Sequence, residues 1–249
     1  MPSSLFSPLT LRSLTIRNRL WVSPLCQYSA TAADGVPTDW HLVHLGSFAR
    51  GGAGMVMAEA TAVVPEGRIS PHDTGIWNDE QADAWSRVVD FIHSQGAAAG
   101  MQLAHAGRKA SIFPEWGSMA NGATGNGTVP LELGGWQTVS ASAIAFDGYA
   151  EPVALDEAGI RAVVAAFVDA AHRSVAAGFD LVEIHAAHGY LLHQFLSPLS
   201  NRRTDEWGGS LENRARLLLD IVRAVRAEVD VPMLVRFSAS DWVDDAWLE

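Results

Sequence analysis

The feature that most constrains the fold is a repeated order of short apolar strands, each followed by a helical pattern. Five such strands are legible, near "LWVSP", "GMVMAEATAV", "AAAGMQLAH", "DLVEIHAAH" and "PMLVRFSAS". Near-continuous apolar strands separated by helices predict a parallel sheet covered by helices. The preceding alternating stretch "LTLRSLTI" predicts an N-terminal hairpin.

Residues typical of helix N-caps stand before the predicted helices. They are Thr38, Asn78, Asp156 and Ser210, and Gln81 follows Asn78 at the spacing of a capping box. About 50 residues rich in glycine, serine, proline and tryptophan follow the third strand, and a loop of that length is typical of a functional segment.

Polar side chains at the carboxyl ends of all five strands favour a barrel over an open sheet. These side chains are Cys26, Glu59, Thr61, Gln102, His105, His185, His188 and Arg236. In a barrel these ends converge on one face, whereas an open sheet gathers them only at its switch point. We therefore predict an α/β fold of the TIM (β/α)8-barrel type, with residues 1–249 forming a single barrel domain.

Only about five of the eight strand-helix units of such a barrel can be read in the sequence. We expect the remaining units in a complementing C-terminal segment, or compensation by homo-oligomer formation, since an uncovered sheet edge promotes association.

Charge and cysteine content exclude several partners. With 28 acidic and 17 basic residues the formal net charge is −11, which disfavours nucleic acid and anionic membrane surfaces. Cys26 is the single cysteine, so it has no disulfide partner within the chain. No apolar run reaches the roughly 18 residues of a membrane span, and we expect a cytoplasmic protein.

Three histidines, His185, His188 and His193, lie in "IHAAHGYLLHQFL". They could ligate a metal with His105, form a hydrogen-bonded core, or donate hydrogen bonds to a carbonyl or phenolate oxygen. In the last case Tyr190 is a candidate proton donor. The first strand ends in Ser-Pro-Leu-Cys rather than paired histidines, which disfavours a barrel metallohydrolase.

For the other candidate residues a purely structural role is as plausible as a functional one. Gln102 could bind a flat heterocycle and Arg236 could offset negative charge on it, or both could make structural bonds. Cys26 could be a small buried residue. Lys109, in "AGRKAS", is predicted to be a solvated loop lysine.

The motifs together resemble the Old Yellow Enzyme family of FMN-dependent ene-reductases, in particular the bacterial subgroup with a cysteine near the flavin. The resemblance rests on "SPLCQYS", "TDWHLVHLG", "AEATAVVPEGR", "QLAHAGRKAS", "EIHAAHGYLLHQFLSPLSNRRTDEWGGSLENR" and "VRFSASDW". It implies a barrel that holds FMN, with NADPH as the reductant and an enone or enal as the small-molecule substrate. In the family the last strands hold the FMN phosphate, so we expect weak FMN retention by this polypeptide alone.

The resemblance also implies a role for each matching residue. FMN-binding positions are Ser23, Pro24, Leu25, Cys26, Ala60, Gln102 and Arg236. His185 and His188 bind the substrate oxygen, Tyr28 shapes the substrate pocket, Tyr190 donates the proton, and no residue is assigned to a metal. Two alternatives remain: a metal-dependent barrel hydrolase using His185 and His188, and a catalytically dead barrel fragment acting as an assembly module.

Overall fold

The computed structural model describes residues 4–119 and 121–243. Its strands are β1 (Leu9–Leu11), β2 (Leu14–Ile16), β3 (Trp21–Val22), β4 (Met55–Ala62), β5 (Ala98–Ala104), β6 (Val139–Ser140), β7 (Val153–Ala154), β8 (Leu181–Ala186) and β9 (Met233–Phe237). Its helices are α1 (Asp39–Arg50), α2 (Asp79–Ser94), α3 (Glu157–Ala176), α4 (Leu191–Leu196) and α5 (Leu211–Glu228), joined by several one-turn 3-10 helices.

The central sheet has five parallel strands in the order β3-β4-β5-β8-β9, which is also their order along the chain. A doubly wound sheet reverses its strand order at a switch point, and this sheet does not. Each step adds the next strand on the same side, as in a barrel wall. β3 and β9 are the two edges of the sheet.

The helix starts follow the capping residues expected from the sequence. Thr38, Asn78, Asp156 and Ser210 each accept a backbone N–H of the first turn of α1, α2, α3 and α5. The N-terminal hairpin is also present, with β1 antiparallel to β2. The sequence did not indicate the short α4, which immediately follows Tyr190.

Packing closes one end of the curved sheet and leaves the other open. On the inner face Ile16, Met55, Met57 and Leu181 form a buried cluster beneath the hairpin. A Cβ on Gly100 would overlap the sulfur of Met57, so glycine fits this position without displacing that side chain. The outer face packs on the helices in a larger core that includes Trp85 and Phe167. The open end is formed by the carboxyl ends of the strands.

The long segment between β5 and α3 lies against this open end. Arg68 fixes part of it, since its guanidinium lies 5.3 Å from the ring centroid of Trp77 and 5.0 Å from that of Trp136. It also donates to the carbonyl of Ala33, at 2.7 Å. One cation therefore ties together the loops that follow β3, β4 and β5. Within the part of the chain that the structure describes, no helix has the length and apolarity to cross a membrane.

Candidate active site

A small cluster at the carboxyl ends of the strands brings together residues from both halves of the predicted site. Ala60 is one of the buried residues of this cluster. Cys26, Tyr28 and Tyr190 are partly buried and pack against the cluster. Cys26 and Tyr28 follow β3, Ala60 lies in β4, and Tyr190 follows β8. The strand ends therefore converge as expected for a barrel.

An interior cavity of about 380 Å³ opens beside this cluster, between the edge strands. Ser23, Pro24 and Arg236 line it, together with Met57 and Glu183. The Arg236 guanidinium makes no hydrogen bond or ion pair with any residue that the structure describes. An unpaired cation on a cavity wall favours an anionic or electron-rich ligand group.

The remaining flavin-side candidates are placed differently. Gln102 is buried on the strand next to Ala60, and its Nε2 donates to Glu183 Oε1 at 2.6 Å. Leu25 is 60% exposed and does not line the interior cavity. The Gln102 amide oxygen has no hydrogen-bond donor among the residues that the structure describes.

Burial keeps the acidic groups of the cluster protonated. It raises the pKa of the Cys26 thiol well above its usual value, and the nearby acidic groups Asp73 and Glu59 raise it further. Burial likewise raises the pKa of Tyr28 and Tyr190 above the usual range of a phenol, with smaller contributions from Cys26. At neutral pH these residues are a thiol and two phenols, all able to donate a proton.

His185 and His188 lie edge to face, with ring centroids 4.9 Å apart. The Ala187 backbone N–H donates to His185 Nδ1 at 3.3 Å, so the neutral ring carries its proton on Nε2. That Nε2–H donates to His188 Nδ1 at 3.2 Å, which places the His188 proton on Nε2 as well. The two imidazoles form a relay whose outward donor is the Nε2–H of His188.

Both imidazoles are held neutral. Burial lowers the pKa of His185 from 6.5 to about 3, with smaller contributions from His188, Arg236 and His193. Burial also lowers the pKa of His188, and the cations Arg236 and Lys109 lower it further. A neutral Nε2–H beside a cation is suited to bind a carbonyl oxygen on which negative charge develops.

The third histidine of the motif makes separate contacts. His193 lies on α4, where its Nδ1 accepts from the Gly189 N–H at 2.8 Å and its Nε2 lies 2.8 Å from Asp241 Oδ1. Both of its ring nitrogens therefore have partners within the described chain. His105 accepts from the Gly107 N–H at 3.0 Å, and burial lowers its pKa to about 4. Among the described residues no group of three His, Cys, Asp or Glu is arranged to hold a metal ion.

Glu59 and Thr61 do not join the site, although both follow the pattern of polar strand ends. The pairing of β4 with β5 shifts register between Met57 and Ala60, as at a β-bulge. Glu59 consequently faces His41 of α1, with 3.7 Å between Oε1 and Nε2, and both side chains are buried. Thr61 bonds Thr74 at 3.1 Å. The expectation that these two polar residues converge on the site was wrong.

The prediction of a solvated Lys109 was also wrong. Its ammonium donates to the His188 carbonyl oxygen at 3.0 Å and lies 4.2 Å from the ring centroid of Phe146. The sequence reasoning also missed Trp116, which packs edge-on against Tyr28 at 4.9 Å between centroids. The Trp116 indole N–H donates to the Gln27 carbonyl at 3.1 Å. Neither residue lies at a strand end, and no periodic pattern indicates them.

Comparison with known proteins places the chain in a family. The model of the NADH:flavin oxidoreductase / NADH oxidase family matches residues 4–247. An NADH:flavin oxidoreductase of Gibberella zeae is 49% identical over 248 residues, covering 97% of this chain and 58% of that protein. An NADPH dehydrogenase of Listeria welshimeri is 49% identical over 241 residues, covering 96% of this chain and 65% of that protein.

Solved structures agree with the sequence relatives. Morphinone reductase matches with a TM-score of 0.79 and 34% identity, over 94% of this chain and 62% of that one. The Old Yellow Enzyme homologue of Zymomonas mobilis gives a TM-score of 0.79 and 34% identity, over 94% and 63%. The chain thus spans about three fifths of the length of these four relatives. The predicted barrel fold is confirmed. This chain belongs to the NADH:flavin oxidoreductase / NADH oxidase family, and the resemblance to Old Yellow Enzymes is thereby confirmed.

Proposed function

We propose that this chain carries the flavin-side and substrate-side residues of an FMN-dependent oxidoreductase that uses NADPH to reduce the activated C=C bond of an α,β-unsaturated carbonyl compound. The observation that carries the proposal is the neutral His185–His188 relay beside Tyr190, which itself packs against the cluster that contains Ala60 and contacts Cys26. The family match and the NADPH dehydrogenase among the relatives support it.

The residues present fit a flat, electron-rich ring. The unpaired Arg236 cation on the cavity wall suits the negative charge of a reduced flavin, and the Gln102 amide suits its hydrogen-bonding edge. Ser23 and Pro24 line the cavity, and Cys26, two residues further along the chain, packs against the cluster that contains Ala60. When bound, FMN supplies the hydride that the substrate accepts.

The histidine relay binds and polarises the substrate carbonyl. His188 is exposed, so its Nε2–H is open to a ligand oxygen, and His185 can turn its own donor from His188 to the same oxygen. Enolate charge that develops on this oxygen is then stabilised by preorganised donors, each worth a few kcal/mol as a rough scale. The low pKa of His185, about 3, keeps this donor neutral over the working pH range.

Tyr190 supplies the proton that completes the reduction. Its ring centroid lies 5.3 Å from that of His185 and 6.4 Å from that of His188, so the phenol borders the same space. Its raised pKa keeps it protonated at neutral pH. Tyr28, braced by Trp116, forms a further wall of the substrate pocket.

Separating the two half-reactions tests this assignment. In FMN-loaded protein, replacing His185 and His188 together by Ala is expected to leave flavin reduction by NADPH within a few-fold. Reoxidation by an enone should slow by about a hundredfold or more, from the loss of two donors. The matched control is His172→Gln on α3, whose side chain is half exposed beside Glu228 and contacts no site residue.

Equal loss of both half-reactions in the double variant, or full enone turnover, would count against the role of the relay. Replacing Tyr190 by Phe should slow reoxidation and spare flavin reduction. Enone turnover unchanged at every pH would remove Tyr190 from the mechanism.

A further inference from the structure

Lys109 is the single lysine among the 17 basic residues of the chain. It ends the one-turn 3-10 helix Gly107–Lys109, which follows β5. Its side chain crosses to the segment after β8, where Nζ donates to the His188 carbonyl oxygen at 3.0 Å. Burial lowers the pKa of the ammonium, and neighbouring Arg108 lowers it further. This lysine therefore joins two strand ends at the candidate substrate site.

The segment that it contacts has a backbone conformation that histidine does not favour. The Tyr190 N–H donates to the Ala187 carbonyl at 3.1 Å, which closes a turn over Ala187–Tyr190. The two central residues have φ values of 60° at His188 and 74° at Gly189, as in a type I′ turn. Glycine adopts a positive φ freely, whereas a residue with a Cβ must be held in it.

Three hydrogen bonds hold the backbone around His188 in this turn. The Lys109 ammonium binds its carbonyl oxygen, and Ser238 Oγ accepts its N–H at 3.1 Å. The next N–H, that of Gly189, donates to His193 Nδ1 at 2.8 Å. The lysine chain also packs on the turn, since a Cβ on Gly189 would lie 3.1 Å from Nζ. Rotation of the His188–Gly189 peptide would break the lysine bond to its carbonyl oxygen and the His193 bond to its N–H. It would also move His188 Nδ1 away from His185.

We propose that Lys109 is a positioning residue that holds the 187–190 turn in its positive-φ conformation and thereby presents the His188 ring beside His185. The inference deepens the proposed function, because its importance for turnover rests on His188 binding the substrate carbonyl. Lys109 itself acts through His188 and is not assigned a contact with substrate or flavin.

Hydrogen exchange of backbone amides tests the proposal without flavin or substrate. In Lys109→Met the amide of Tyr190, which closes the turn, is expected to exchange about tenfold faster or more. The amide of Leu191 is the internal control, because it is bonded to the His105 carbonyl at 2.9 Å and lies outside the turn. Its exchange should stay within about threefold of the wild type. Lys109→Arg keeps a cationic donor of similar reach and should restore protection of Tyr190.

A second readout follows the His188 ring. The charged and titratable groups around it are His185 on β8, Tyr190, His193 on α4, Arg236 on β9 and Lys109. Removing the ammonium in Lys109→Met should raise the pKa of His188 in an NMR titration, and Lys109→Arg should not.

Unchanged exchange of Tyr190 in Lys109→Met overturns the proposal. So does an equal acceleration at Tyr190 and Leu191, which would indicate general loosening rather than a specific effect on the turn. These exchange measurements need no turnover. If only the proposed function fails, Lys109→Met will still show the expected faster exchange at Tyr190, but the protein will reduce no enone.

Discussion

His185 provides a quantitative test, because its burial makes the stability of the chain depend on pH. The side chain is 2% exposed, and its pKa falls from 6.5 to about 3 on folding. This difference corresponds to about 5 kcal/mol when fully expressed, at about 1.4 kcal/mol per pH unit. Since the unfolded chain binds the proton first as the pH falls, stability is lost from about pH 6.5 down to about pH 3.

The loss is measurable well before the protein unfolds in acid. At pH 5.5 the unfolded imidazole is about 90% protonated while the folded one is neutral. Protonation of His185 in the unfolded chain therefore lowers the free energy of unfolding by about 1.2 kcal/mol between pH 7 and pH 5.5. The substitution His185→Gln removes this contribution and keeps groups that can bond the Ala187 N–H and His188. Between pH 7 and pH 5.5 the free energy of unfolding of His185→Gln should therefore fall by about 1.2 kcal/mol less than that of the wild type.

Urea unfolding of the wild type and His185→Gln at both pH values measures this difference. His105→Gln is the matched variant, because the pKa of His105 is about 4 and predicts a similar reduction over the same interval. If His185→Gln loses as much stability as the wild type, His185 is not held neutral by the fold, and its role as a preorganised neutral donor fails.

Three further predictions concern single residues around the site. Gly189→Ala should cost about 1–2 kcal/mol in urea unfolding, since φ is 74° and the new Cβ meets Lys109; a neutral result would remove the need for glycine there. Cys26 should react with iodoacetamide at pH 7 at least about tenfold more slowly than a free thiol, since burial raises its pKa; rapid labelling would contradict this. Burial raises the pKa of Asp73 from 3.8 to about 8, so its contribution to stability falls between these values as the pH rises. From pH 5 to 7 in urea unfolding, the free energy of unfolding of Asp73→Asn should therefore rise relative to that of the wild type by about 1 kcal/mol per pH unit. Parallel pH profiles of the two proteins would contradict this.

The features that the sequence predicted best are encoded locally. Each long helix starts after the expected side-chain cap, because the cap and the N–H that it binds lie within three residues of each other. The parallel barrel wall followed from strand composition and from the clustering of polar residues at strand ends. Cys26, Ala60 and Tyr190 meet in one cluster because they follow or end neighbouring strands.

The features that it missed depend on tertiary geometry. Glu59 faces α1 because a register shift in β4 interrupts the alternation of side chains, and no periodic pattern reports such a shift. Lys109 reaches His188 from a different loop, 79 residues away along the chain. The sequence also could not give the direction of the His185–His188 hydrogen bond, because that direction depends on which ring nitrogen of His185 accepts the Ala187 N–H.

The most direct test of the central claim is the visible spectrum of the protein loaded with FMN, recorded anaerobically during additions of NADPH and then of an enone. We expect a flavin spectrum that NADPH bleaches and that the enone restores, with restoration lost when His185 and His188 are both replaced by Ala. A protein that takes up no flavin even from an excess of FMN, or a bound flavin that NADPH bleaches and no enone restores, would contradict the claim.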